Sequence, residues 1–144
     1  MSAQKTVKVG IIGGGLMGRE LLTLVGRWDA LLEHPVRPVI TAIADTSDAV
    51  REFFTNAGVS ESYSDYKELL ASPNVDVVYI AVPHNLHEEI YIAAINAGKD
   101  FLGEKPFGID LAAAEKIEAA LVGKKNFVRV SSELPFFPGA QAAI

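Results

Sequence analysis

Gly13-Gly14-Gly15-Leu16-Met17-Gly18 follows an apolar run, Val7-Lys8-Val9-Gly10-Ile11-Ile12, and leads into a segment with helical spacing. A strand, a glycine turn and a helix in that order decide the fold, and the pattern repeats on either side. Further strands are expected at residues 39–44, 59–63, 100–103 and 127–130. Residues 75–82 (Val-Asp-Val-Val-Tyr-Ile-Ala-Val) are almost continuously apolar, as a central parallel strand buried on both faces must be. Between the strands, apolar residues recur at helical intervals. Met17, Leu21, Leu24, Val25 and Trp28 make one stripe, and Leu111, Ala114, Ile117 and Leu121 make another. Asp110 and Gly123 bracket the second of these. A helix is expected to start near Asn85, with Glu88 completing a capping box, and to end at Gly98. Strands alternating with helices imply an α/β fold, a doubly wound parallel sheet in three layers, α/β/α.

The glycine turn carries the chemistry. Its spacing fits GxGxxG, placed between strand and helix where that motif acts. Gly13 permits the tight turn, Gly15 lets the backbone approach a pyrophosphate, and Gly18 lets the helix pack closely on the strand. The N–H groups near Leu16 and Met17, with the positive end of the helix dipole, would face the diphosphate. A merely flexible loop is the alternative reading of such a turn. Asp45 ends the second strand, where a carboxylate accepts hydrogen bonds from both hydroxyls of an adenosine ribose. The alternative is an ordinary N-cap or turn aspartate. A carboxylate there repels a 2′-phosphate, and Thr46 and Ser47 bring no positive charge, so NAD is expected ahead of NADP.

Composition narrows the partners. The 144 residues are 49% hydrophobic and 22% charged, the balance of a globular domain, with a net charge of −5. That charge argues against a nucleic acid or an anionic membrane surface as partner. No apolar run approaches the roughly 20 residues of a membrane-spanning helix, and the polar start gives no sign of a signal peptide. With no cysteine, thiolate metal sites and cysteine nucleophiles are excluded, no metal is expected, and a cytoplasmic location is compatible.

Two later segments make the reading more specific: Ala81-Val82-Pro83-His84-Asn85-Leu86-His87, and Gly103-Glu104-Lys105-Pro106 preceded by Ala97-Gly98-Lys99. With the glycine turn they resemble the glucose–fructose oxidoreductase/inositol dehydrogenase (Gfo/Idh/MocA) family over nearly the whole chain. The resemblance implies a Rossmann domain that binds NAD(P), followed in the family by a mainly antiparallel domain that completes the substrate site. It implies hydride transfer between a nicotinamide and a sugar, polyol or related carbinol or carbonyl compound. It also implies that Lys105 lies by the nicotinamide and substrate as the catalytic residue, and that Glu104 helps to hold the cofactor. Val82, Pro83, His84 and His87 would line the cofactor cleft. Read without the family, Lys105 is a solvated loop lysine, and His87, in the first turn of its helix, is as much a structural residue as a functional one. The family usually has Pro-Asn where this chain has Pro83-His84, so His84 either replaces the asparagine contact or faces solvent. The passage Ser132 to Pro138 resembles the family's entry into its second domain, with Pro135 at a position commonly held by arginine.

Residues 1–130 are accordingly expected to be the dinucleotide domain and residues 131–144 the start of a substrate domain needing on the order of 150 further residues. The chain alone is expected to bind cofactor without turnover, and the full-length protein to be a homo-oligomer through its second domain. The competing reading is a stand-alone dinucleotide-binding sensor or scaffold; the Glu104-Lys105-Pro106 segment argues against it. An enzyme of another adenine nucleotide, such as S-adenosylmethionine, leaves that segment unexplained. His34 reads as a surface residue, and Trp28 and Tyr91 as core or domain-facing residues.

Overall fold

The structure is a computed structural model that describes residues 5–31, 35–132 and 138–142. His34 and residues 133–137, including Pro135, lie outside the described residues. Six strands form one sheet: β1 (Lys5–Ile12), β2 (Val36–Ala44), β3 (Glu61–Tyr63), β4 (Val77–Ile80), β5 (Asp100–Glu104) and β6 (Val128–Ser131). Their spatial order is β3-β2-β1-β4-β5-β6, and every neighbouring pair is parallel. The helices are α1 (Leu16–Gly26), α2 (Asp48–Asn56), α3 (Tyr66–Ala71), α4 (His87–Asn96), α5 (Leu111–Leu121) and the short α6 (Pro138–Gln141). The chain builds outward from β1 to β3, then crosses back to place β4 on the other side of β1. At that reversal the loops leaving β1 and β4 part in opposite directions, which opens a crevice at the carboxyl ends of the strands.

The two-residue period of a strand explains the two cores. Ile11 and Tyr79 face one side of the sheet, packed with Ile43, Phe54 and, from α1, Leu21, Leu22 and Val25. Their neighbours Ile12, Val78 and Ile80 face the other, against Ile90, Tyr91, Phe101 and Ile117. Each fully buried side chain of this kind contributes about 1.5–3 kcal/mol relative to exposure. Both faces being covered, the central strands have no polar side to show.

Several local expectations shift. On α1 the buried position is Gly18, so the helix sits low on the sheet and turns Leu21, Leu22 and Val25 inward. Met17 and Leu24 fall off that face and are exposed. Trp28 is beyond the helix, its indole N–H donating to the Val36 carbonyl at 2.8 Å. The Asn85–Glu88 capping box does not form: residues 84–86 make a 3-10 turn, α4 begins at His87, and no side chain caps it. Glu88 instead pairs with Lys116 on α5 at 2.8 Å. Asp110 does cap α5, accepting from the Ala113 N–H, and this phase points Ala113 and Ile117 inward while leaving Leu111 exposed. Gly98 and Gly123 follow α4 and α5 with positive φ, as expected of closing glycines.

Candidate cofactor site

The turn after β1 is built by what its glycines lack. Gly13 has φ +91°, and a Cβ there would lie 2.3 Å from the Ala81 carbonyl oxygen at the end of β4. Gly18 is pressed against the same turn, since its Cβ would lie 2.4 Å from the Gly13 oxygen. Gly15 is different: a Cβ built on it meets nothing within 4 Å. It faces open space beside the first turn of α1, which has neither a side-chain cap nor an acidic residue. Helix N–H groups left without intrahelical partners, next to a glycine with room in front of it, form a cradle for an anion.

Asp45 and Gly14 hold that cradle in shape. The Asp45 carboxylate accepts from the Gly14 N–H at 2.8 Å through Oδ2 and from the Ser47 N–H at 2.9 Å through Oδ1. A Cβ on Gly14 would strike Val50 and Phe54, so α2 packs directly over the turn. Gly14 has no assigned role in the GxGxxG pattern, and its part emerges only from the packing of α2. Arg51 is another residue missed by reading the loop alone. Its guanidinium donates to the Asp45 carbonyl at 2.6 Å and pairs with Asp48.

Two clefts meet over the ends of β1 and β4. One, of about 480 Å³, is bordered by Gly13, Gly15, Asp45, Val82 and Pro83, with Tyr66 and Glu89 on its far wall. The Tyr66 hydroxyl donates to Glu89 at 2.7 Å, and burial followed by that carboxylate pushes its pKa up to about 12. The other, of about 500 Å³, is bordered by Met17, Glu20, His84, Glu104, Lys105 and Ser131. Ala81 and Val82 belong to both. Leu16 stands exposed at the start of α1, and Gly18 lies buried beneath it.

The second cleft rests on buried tyrosines. Glu104 is nearly buried, with its carboxylate accepting from the Tyr79 hydroxyl at 2.6 Å and its backbone carbonyl from the Tyr91 hydroxyl at 2.6 Å. Burial, then the Glu104 carboxylate, pushes the pKa of both hydroxyls up. Lys105 and His84 are exposed in this cleft, and the Lys105–Pro106 peptide is cis. His87 does not reach either cleft. Its ring is fully buried and engaged with the carbonyls of Pro106 and Val82, so it supports the walls instead of lining them. Among the described residues, no cluster of three or more His, Cys, Asp and Glu could hold a metal. Nor is any helix there long and apolar enough to cross a membrane.

The open space at Gly15, the uncapped start of α1, and a carboxylate across the turn fit a dinucleotide laid across the two clefts. Residues 7–132 match the family model GFO_IDH_MocA, described as an oxidoreductase family with an NAD-binding Rossmann fold. The D-xylose 1-dehydrogenase (NADP(+)) of Hypocrea jecorina is 38% identical over 108 residues, covering 72% of this chain and 28% of the relative. An NAD binding oxidoreductase of Klebsiella pneumoniae superposes with a TM-score of 0.85 at 31% identity, over 96% of this chain and 37% of that one. A levoglucosan dehydrogenase solved in complex with NADH superposes with a TM-score of 0.81 at 29% identity, over 92% of this chain and 36% of that one. The chain thus spans little more than a third of these proteins at most. By the family match over nearly its whole length and by its strand order, the chain belongs to the Gfo/Idh/MocA oxidoreductase family and carries that family's NAD-binding Rossmann fold.

Proposed function

We propose that the two clefts hold one nicotinamide dinucleotide, with its adenosine at Asp45 and its nicotinamide beside Lys105. The observation that carries this reading is the empty Cβ position of Gly15 beside the uncapped start of α1. In this arrangement the diphosphate lies against Gly15 and the N–H groups of Leu16 and Met17, with Gly13 and Gly18 shaping the turn. Asp45 takes the ribose hydroxyls on lone pairs left over from its bonds to Gly14 and Ser47. Val82, Pro83 and His84 form the wall between the two ends, with His87 behind them, and Glu104 holds the nicotinamide end.

NAD is preferred over NADP, because the Asp45 carboxylate disfavours a 2′-phosphate. Arg51 reduces that bias, since its guanidinium stands against the same residue's carbonyl. The relatives' names span both cofactors, one carrying NADP(+) and another a complex with NADH.

For the whole protein we propose a cytoplasmic dehydrogenase of a sugar, polyol or related carbinol or carbonyl compound. Residues 1–130 form its dinucleotide domain, residues 131–144 lead into its substrate domain, and assembly into a homo-oligomer runs through that second domain. Bound nicotinamide supplies a hydride acceptor or donor. Lys105 supplies an ammonium group that can polarise a substrate oxygen or pass it a proton. Without a second domain to hold the substrate, the chain binds cofactor but turns over nothing measurable, because positioning is a large share of the rate.

Calorimetric titration with NAD⁺, NADH and NADPH, repeated on Asp45→Ala, tests the reading. Saturable NAD(H) binding that weakens at least tenfold in the variant is expected. A chain that binds no dinucleotide would sink it.

A further inference from the structure

His87, the first residue of α4, is 0% exposed, yet both of its ring nitrogens are committed. Nδ1 lies 2.7 Å from the Pro106 carbonyl and Nε2 lies 3.1 Å from the Val82 carbonyl. The ring stacks on Tyr91, 4.8 Å away and inclined by 23°, and the Tyr91 hydroxyl donates to the Glu104 carbonyl. Two stacked rings on one helix therefore lie within hydrogen-bonding distance of the carbonyls of residues 82, 104 and 106. Lys105 sits between two of these, and Val82 is shared by both clefts.

We propose that His87 is a positioning residue that ties the Val82 wall to the Lys105 loop, fixing the spacing across the cleft. Only a ring with hydrogen-bonding nitrogens at separate edges can reach both carbonyls; a phenyl ring fills the same volume and holds neither. A neutral imidazole has one N–H and so donates to one carbonyl at a time. The tie stands without ligand, and its consequence for affinity rests on the dinucleotide reading above.

Backbone ¹⁵N relaxation and NADH titration of the chain, His87→Phe and His87→Gln test this. In His87→Phe the order parameters at His84, Lys105 and Phe107 should fall from the rigid value of about 0.85 to below about 0.6. Those at Ile11 and Phe101 should not change. His87→Gln, which keeps one donor end, should recover part of the loss. The NADH dissociation constant should rise at least fivefold in His87→Phe. Unchanged order parameters at those three positions would overturn the proposal. So would a loss spread evenly over Ile11 and Phe101 with Gln no better than Phe. If the unmutated chain fails to bind NADH, the dinucleotide reading falls, while the order parameters still decide the tie.

Discussion

The two halves of the cleft are made in opposite ways. At the β1 turn the shape comes from missing side chains: Gly13 and Gly18 let backbone touch backbone, and Gly15 leaves an opening. At the loops after β4 and β5 it comes from large buried side chains, with Tyr79, Tyr91 and His87 gripping the backbone and carboxylate of residues 82 and 104–106. The first half suits a phosphate, which needs bare N–H groups and close approach. The second suits a reacting centre, which needs a few groups held at fixed spacing. Fragility differs accordingly, with the first half broken by adding atoms and the second by removing hydrogen bonds.

Gly13→Ala should show the largest effect. A side chain at φ +91° that also meets the Ala81 oxygen combines backbone strain with overpacking, for a loss of roughly 3 kcal/mol or more in denaturant unfolding. Gly15→Val sharpens the contrast within the same turn. Its Cβ meets nothing within 4 Å, so stability should stay within about 0.5 kcal/mol of the parent while NADH affinity falls tenfold or more, about 1.4 kcal/mol. Equal stability losses in the two variants would dissolve the distinction between a packed and an open glycine.

The smallest effect concerns the second half and appears in alkali. Burial, then Glu104, raises the pKa of the Tyr79 hydroxyl, and of Tyr91 in the same order. Above about pH 10 the unfolded chain loses these protons while the folded chain keeps them. The stabilisation is therefore whole below about pH 10 and is lost as pH rises from there toward the folded values. The melting temperature should fall through that window, and Tyr79→Phe should make the fall shallower. An identical alkaline slope in Tyr79→Phe would show that the Tyr79–Glu104 bond carries no such linkage.

More of the first half than of the second was legible in the sequence. Gly13, Gly15 and Gly18 stand at local spacing between a strand and a helix, so the turn they make can be read along the chain. The bond of Asp45 to Gly14, by contrast, spans 31 residues, and the part of Gly14 appears only with the packing of α2. The Glu104-Lys105-Pro106 segment was visible as a motif, but its support by Tyr79 and Tyr91 depends on side chains 13 and 25 residues away in sequence. For His87 the resemblance implies a place in the cleft, while its position in the first turn of a helix leaves a structural role just as open. Only the packing of α4 shows that its ring points inward. The helix faces at Met17 and Leu111 were misphased for a related reason: the contact of Gly18 with the turn and the Asp110 cap rotate each helix, and hydrophobic spacing alone does not record that rotation.

The central claim is that both halves serve one ligand. The most direct test is an NADH titration followed by amide chemical shifts. Gly15 and Leu16 in the first half and His84 and Lys105 in the second should move along one saturation curve, with Leu24 on the outer face of α1 unmoved. Shifts confined to one half, or two curves with separate midpoints, would contradict the account.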